Sequence, residues 1–285
     1  MKRTLFALTL ALILLLSACA LPLPAKSPIP ETVSLDDLPP FSGEAFVELG
    51  GGVPFFTEEE ITAEAFEAYA RLDPLGRCGT AFACIGKELM PTQERGSIGQ
   101  VKPSGWQTVK FDVVDGKYLY NRCHLIGFQL TGENANEQNL VTGTRYLNVE
   151  GMLPFENMVA DYVKETGNHV MYRVTPVFQG TELVCRGVVM EALSVEDGGE
   201  GISFCVYCYN AQPQIQIDYT DGTADLSEEP DSQGKVQFIL NTSSKKIHKP
   251  HCSNAGAMSD QNRKETAASL SSLLSQGYTQ AGCCF

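Results

Sequence analysis

The stretch Tyr118-Leu119-Tyr120-Asn121-Arg122-Cys123-His124-Leu125-Ile126-Gly127 carries most of the information about the fold. Thr108–Val114 and Lys117–Tyr120 read as two arms of a hairpin, because Asp115-Gly116 between them is a favoured two-residue turn. Arg122 and His124 then fall at the end of a strand, just before the loop that opens at Gly127. A strand end suits a general base, since the scaffold holds the ring while the loop admits a substrate. His124 is one of only four histidines in 285 residues.

Outward from this segment the chain alternates strands with few helices. Thr57 to Tyr69 is expected to be helical, with Thr57 as N-cap and Glu58, Glu59 and Glu60 in its first turn. Pro154 to Thr166 is expected to be a second helix, with Pro in the first turn, an apolar face of Phe155, Met158, Val159 and Tyr162, and a stop at Gly167. Val170–Phe178 and Leu183–Leu193 read as strands joined by a turn at Gly180, followed by Ile202–Asn210 and Gln214–Tyr219. The pattern predicts an α+β domain built on an antiparallel sheet.

Two asparagines follow the His124 segment nine residues apart, Asn139 in Asn-Leu-Val-Thr-Gly and Asn148 in Arg-Tyr-Leu-Asn. Glu156 lies eight residues further on, on the expected helix. An amide oxygen and a carboxylate are hard ligands and suit Mg²⁺ better than zinc. Arg122 and Arg145 carry the planar fork that can clamp a phosphate. On composition alone, a histidine at a strand end and an asparagine in a loop also have structural readings.

Asn121-Arg122-Cys123-His124 resembles the Asp-Arg-Gly-His motif of the DNA/RNA non-specific endonucleases, and within that family the bacterial DNA-entry and streptococcal secreted nucleases. Leu72-Asp-Pro-Leu-Gly-Arg77, Leu89-Met-Pro-Thr92, Val101-Lys-Pro-Ser-Gly-Trp106, Asn139 to Asn148, Arg173-Val-Thr-Pro176 and Ile217-Asp-Tyr219 extend the resemblance over roughly residues 41–225. It implies a ββα-metal nuclease fold with a central antiparallel sheet. It also implies roles. His124 would be the general base and Asn148 the residue that directly holds one Mg²⁺, for which Mn²⁺ could substitute. Glu156 would hold waters of that ion, Asn139 would orient the site, Arg122 would be the motif arginine and Arg95 a phosphate contact. The substrates would be DNA and RNA, held by the backbone without sequence preference, and the products would carry 5′-phosphates. Asn121 and Cys123 depart from the motif Asp and Gly. They support a rival reading, a nuclease-derived lipoprotein that binds extracellular DNA with little or no cleavage.

The two ends read differently. Lys2 and Arg3, an apolar run from Leu5 to Leu16 and Leu16-Ser17-Ala18-Cys19 resemble a bacterial lipoprotein signal, with Cys19 acylated. This gives a signal at 1–18, a Pro- and Ser-rich tether at 19–40, a nuclease domain at 41–230, a cell-surface or secreted location, and a membrane contact through the lipid only. The tail, residues 235–285, gathers His248, His251, Cys252, Cys283 and Cys284. It resembles small zinc-binding modules. A four-ligand Zn²⁺ site from His248, Cys252, Cys283 and Cys284 is one reading and disulfides are the other. Cys78 and Cys84 could also pair. Cys205-Val-Tyr-Cys208 lies in an alternating strand that faces the two thiols apart, so it is structural.

The formal net charge is −13, which argues against a generally basic nucleic-acid binder. The charge is unevenly spread. Residues 31–73 hold 11 acids and one base, and 191–231 hold 10 acids and no base, whereas 74–125 hold 7 bases and 4 acids. If the acidic segments lie away from the site, the balance predicts weak, salt-dependent substrate binding rather than none.

Overall fold

A computed structural model describes residues 35–227, 238–250, 252–266, 268, 273–274, 276–282 and 284. The signal, Cys19 and most of the tether fall outside the described residues, as do His251 and Cys283. No helix among the described residues is long and apolar enough to cross a membrane.

The protein is an α+β fold. Six strands form one antiparallel sheet: β1 (Phe46–Glu48), β2 (Phe66–Tyr69), β3 (Ala81–Ile85), β6 (Val170–Val177), β7 (Gly187–Ser194) and β8 (Ser203–Tyr209), in the order β1-β8-β7-β6-β3-β2. A separate antiparallel pair, β4 (Tyr120–His124) and β5 (Leu140–Thr144), carries the decisive segment. β9 (Ile215–Ile217) pairs with β10 (Ala224–Leu226). The tail forms a four-stranded sheet, β13-β11-β12-β14, from Phe238–Asn241 (β11), Lys246–His248 (β12), Arg263–Thr266 (β13) and Thr279–Gln280 (β14).

After a single-turn helix, α1 (Phe128–Thr131), comes the long helix α2 (Leu153–Thr166), and the main core lies between the sheet and α2. Val170, Tyr172 and Val174 of β6 and Val188, Met190 and Ala192 of β7 meet Phe155, Val159, Ala160 and Val163 of α2. α2 ends where Gly167 takes φ 78° and returns its N–H to Val163, a left-handed cap that glycine adopts without strain. The opposite face of β6 is also closed. Arg173 there donates to Glu191 at 2.6 Å and to Glu60 at 2.7 Å and lies over Phe56 and Phe82. Burial on both faces explains why β6 and β7 read as nearly unbroken apolar runs.

Two expected elements change. Thr57–Tyr69 is not a helix: only a single turn closes, from Glu60 N–H to Thr57, and Phe66–Tyr69 pairs with β3 as an edge strand. Helix propensity is a weak local prior. Here long-range partners win, since Arg173 takes the Glu60 carboxylate and Phe82 packs against both Phe56 and Phe66. The hairpin over 108–120 shrinks to one bridge between Lys110 and Tyr118, with the turn retained at Gly116, whose φ is 71°. Tyr120–His124 turns instead to β5, a strand the sequence did not announce. Cys78 and Cys84 are unpaired with one another. The Cys78 thiol points to the carbonyls of Glu137 and Leu140, and that of Cys84 to Thr62. Cys205 and Cys208 are free and buried, and burial pushes the Cys205 thiol up to about 12, the mark of inert structural cysteines.

Candidate active site

β4, β5 and α2 form one ββα unit, and its turns converge on a cleft of about 680 Å³. Arg95, Arg122, His124, Arg145, Asn148 and Glu156 all line it. Among the described residues, none that lines it comes from the acidic segments 31–73 and 191–231. The cleft itself holds three arginines against one carboxylate, so the local charge opposes the global −13.

His124 ends β4 and is almost fully buried. Its Nε2 lies 2.8 Å from the carbonyl of Asn134. A carbonyl only accepts, so Nε2 carries the proton and Nδ1 bears the lone pair. Arg95 Nη2 stands 3.3 Å from that Nδ1. Burial, and then the Arg95 charge, hold the imidazole below its ordinary pKa. The ring is therefore neutral at neutral pH, with its basic nitrogen inside the cleft.

Asn148 sits in a π-helical turn, Leu147–Met152, which runs straight into α2. Such turns widen the helix and often mark functional sites. Its Oδ1 accepts from the Cys123 thiol at 3.1 Å. Glu156, one turn into α2, is buried, and burial lifts its carboxyl to about 7, with Arg95 pulling the other way. Gly127 gives the carboxylate room, because a Cβ there would lie 2.6 Å from Oε2. The oxygen-only donor set of Asn148 and Glu156 in one cleft fits a hard divalent cation.

Asn139, expected as a site residue, does not line the cleft. It is fully buried behind it, accepting from Ile126 N–H at 2.9 Å and donating to Ile126 O at 3.0 Å. This two-way clamp fixes the backbone between His124 and Gly127. Arg122 is likewise engaged. Its Nε donates to the Val101 carbonyl and Nη2 to that of Gly99 at 2.8 Å, and its guanidinium stacks on Trp106. It secures the 99–106 wall rather than presenting a free fork. Arg145 pairs with Asp115 at 3.0 Å at the surface, where such pairs exchange at little cost.

The departures from the motif are accommodated. Cys123 is buried, with its sulfur 3.5 Å from Met152 Sδ. The space comes from Gly143 on β5, where a Cβ would fall 2.6 Å from the Cys123 Cβ. Sequence reading also missed Asn210. It is fully buried, accepts from Thr144 N–H and donates to the carbonyls of Thr142 and Cys185, joining β5 to the main sheet. No local pattern marks such a residue, because its partners lie 66, 68 and 25 positions away.

Two predictions follow from this packing. Gly143→Ala should destabilise the chain by about 1–3 kcal/mol through overpacking, and adding Cys123→Gly should restore most of that loss. Denaturant unfolding of the two single variants and the double measures the coupling, and strictly additive effects would contradict the contact. Glu156→Gln should stabilise the metal-free chain at pH 8 and not at pH 5. The native carboxyl titrates near 7 and the unfolded one near 4.5, so the folded state binds the extra proton between them. Stability therefore falls as pH rises through that window, by roughly 3 kcal/mol in all. Melting curves of both proteins in EDTA at the two pH values check this.

Residues 57–196 match the family model for DNA/RNA non-specific endonuclease, a span that holds His124, Asn139, Asn148 and Glu156. A deoxyribonuclease of Streptococcus dysgalactiae subsp. equisimilis is 33% identical over 121 residues, 41% of this chain and 36% of the relative, so the match spans about a third of that protein's length. The crystal structure of NucA from Streptococcus agalactiae with magnesium bound superposes with a TM-score of 0.57 at 26% identity, over 65% of this chain and 88% of that one. The Sda1 nuclease with bound zinc gives 0.53 at 25% identity, over 65% of this chain and 97% of that one. Residues 57–196, with the ββα cleft at their centre, belong to the DNA/RNA non-specific endonuclease family.

Proposed function

We propose that the chain is a Mg²⁺-dependent endonuclease that hydrolyses DNA and RNA phosphodiester bonds without sequence preference and leaves 5′-phosphate ends. The observation that carries this reading is the 2.8 Å contact of His124 Nε2 with the Asn134 carbonyl, which leaves Nδ1 as the basic nitrogen of a histidine that lines the same cleft as Asn148 and Glu156. Asn148 would hold the cation directly and Glu156 would hold its waters; when bound, the ion supplies charge neutralisation at the phosphate and the leaving oxygen. Water gives its proton to His124 Nδ1, and its oxygen bonds to phosphorus. The P–O3′ bond breaks, and the 3′ oxygen takes a proton from solvent. Arg95 keeps the imidazole deprotonated between turnovers and adds positive charge beside the phosphate. Contacts to phosphate carry no base information, which accounts for the breadth of substrate.

In the same reading, residues 1–18 are a signal, Cys19 is the lipid anchor on the tether up to residue 40, and the nuclease domain spans 41–230 at the cell surface. Removing Arg95 should raise the His124 pKa, because a neighbouring cation disfavours imidazolium. The acid limb of the rate–pH profile should then move to higher pH in Arg95→Gln, and an unmoved limb would contradict the pairing. The proposal as a whole is tested on defined DNA and RNA duplexes digested in Mg²⁺. Fragments should ligate directly through 5′-phosphates, whereas fragments needing a kinase first would refute the assigned bond.

A further inference from the structure

The C-terminal sheet is built from strands of 4, 3, 4 and 2 residues. Among the described residues its buried apolar groups are small: Leu240, Ile247, Leu273 and Tyr278 in one, Ile239, Cys252 and Ala255 in another. Units with so little core generally need a covalent or metal staple. His248 at the end of β12, Cys252 four residues on and Cys284 in the last turn bring three ligand atoms within 4.8 Å of one another. None of the three lines the nuclease cleft.

The distances discriminate between explanations. His248 Nδ1 lies 3.5 Å from Cys252 Sγ and 3.9 Å from Cys284 Sγ. Tetrahedral zinc with bonds of about 2.1 Å to nitrogen and 2.3 Å to sulfur would set these edges near 3.6 Å. Cys252 and Cys284 do not form a disulfide with one another. Nδ1 has one lone pair and cannot accept from both thiols, whereas one cation can take a lone pair from each of the three clustered atoms. The Lys249 backbone N–H also donates to Cys284 Sγ at 3.4 Å. One imidazole and two sulfurs select a borderline-soft ion over Mg²⁺.

We propose that His248, Cys252 and Cys284 bind one Zn²⁺, a second metal site apart from the nuclease cleft, tying β12 and the segment after it to the last turn of the chain. The test is a Co²⁺ titration of the full chain under reducing conditions and in excess Mg²⁺. A thiolate-to-cobalt charge-transfer band should saturate at one equivalent and vanish when Zn²⁺ is added. Cys252→Ser and Cys284→Ser should each weaken Co²⁺ binding at least about 100-fold, while the rate of plasmid cleavage in Mg²⁺ stays at the parent value. His248→Cys keeps a ligand in place and should retain the band, which guards against variants that merely misfold. No band in the parent chain, a band surviving in the doubly substituted Cys252/Cys284 protein, or a band lost in Asn148→Ala would overturn the assignment.

Discussion

Replacing His124 by Gly should lower the rate of phosphodiester cleavage by about 10²–10⁴-fold, the usual contribution of a positioned general base, and leave Mg²⁺ affinity unchanged. The asymmetry comes from the geometry. His124 reaches the cleft only through Nδ1, while its other nitrogen is tied to the Asn134 carbonyl. Added imidazole should recover part of the rate in the Gly variant by occupying the vacated space, with a dependence on pH set by free imidazole. Initial rates of supercoiled-plasmid nicking, with and without imidazole, make the measurement. A Gly variant that nicks at the parent rate would remove the base from His124.

The second large effect belongs to Asn148. Asn148→Ala should cut Mg²⁺ affinity and cleavage together, by more than the 10–100-fold typical of losing a group that only supports a metal ligand. Raising Mg²⁺ should recover part of the loss in this variant and none in His124→Gly, which separates ion holding from proton transfer. Titrating the nicking rate against Mg²⁺ for both variants reads this directly. An Asn148→Ala protein with the parent Mg²⁺ dependence would contradict the assignment.

The α+β class and the gathering of His124, Asn148 and Glu156 in one cleft were legible in the sequence, and single elements were less so. α2 was readable because period, Pro154 in the first turn and Gly167 at the end agree, and agreement across levels is what makes a local signal reliable. His124, Asn148 and Glu156 were found by motif and do share the cleft. Asn139 was found too, but its place behind the cleft depends on the fold of the loop at Ile126. β5 was missed because Leu140-Val-Thr-Gly-Thr is buried along its whole length and shows no alternation. The false helix at 57–69 arose where Arg173, more than a hundred residues away, claims Glu60. Arg122 read as a phosphate clamp because a sequence cannot show that the carbonyls of Val101 and Gly99 already occupy it.

The net charge resolves in the same way. A chain at −13 can carry an arginine-lined cleft when the described residues of its acidic segments do not line it. Few phosphate contacts remain, so binding should be weak and fall with salt.

The most direct test of the central claim is the conversion of supercoiled plasmid by the full chain, measured in Mg²⁺ and again in EDTA. The account predicts nicked and then fragmented DNA in Mg²⁺ and intact plasmid in EDTA. Intact plasmid in both, or equal cleavage in both, would contradict it.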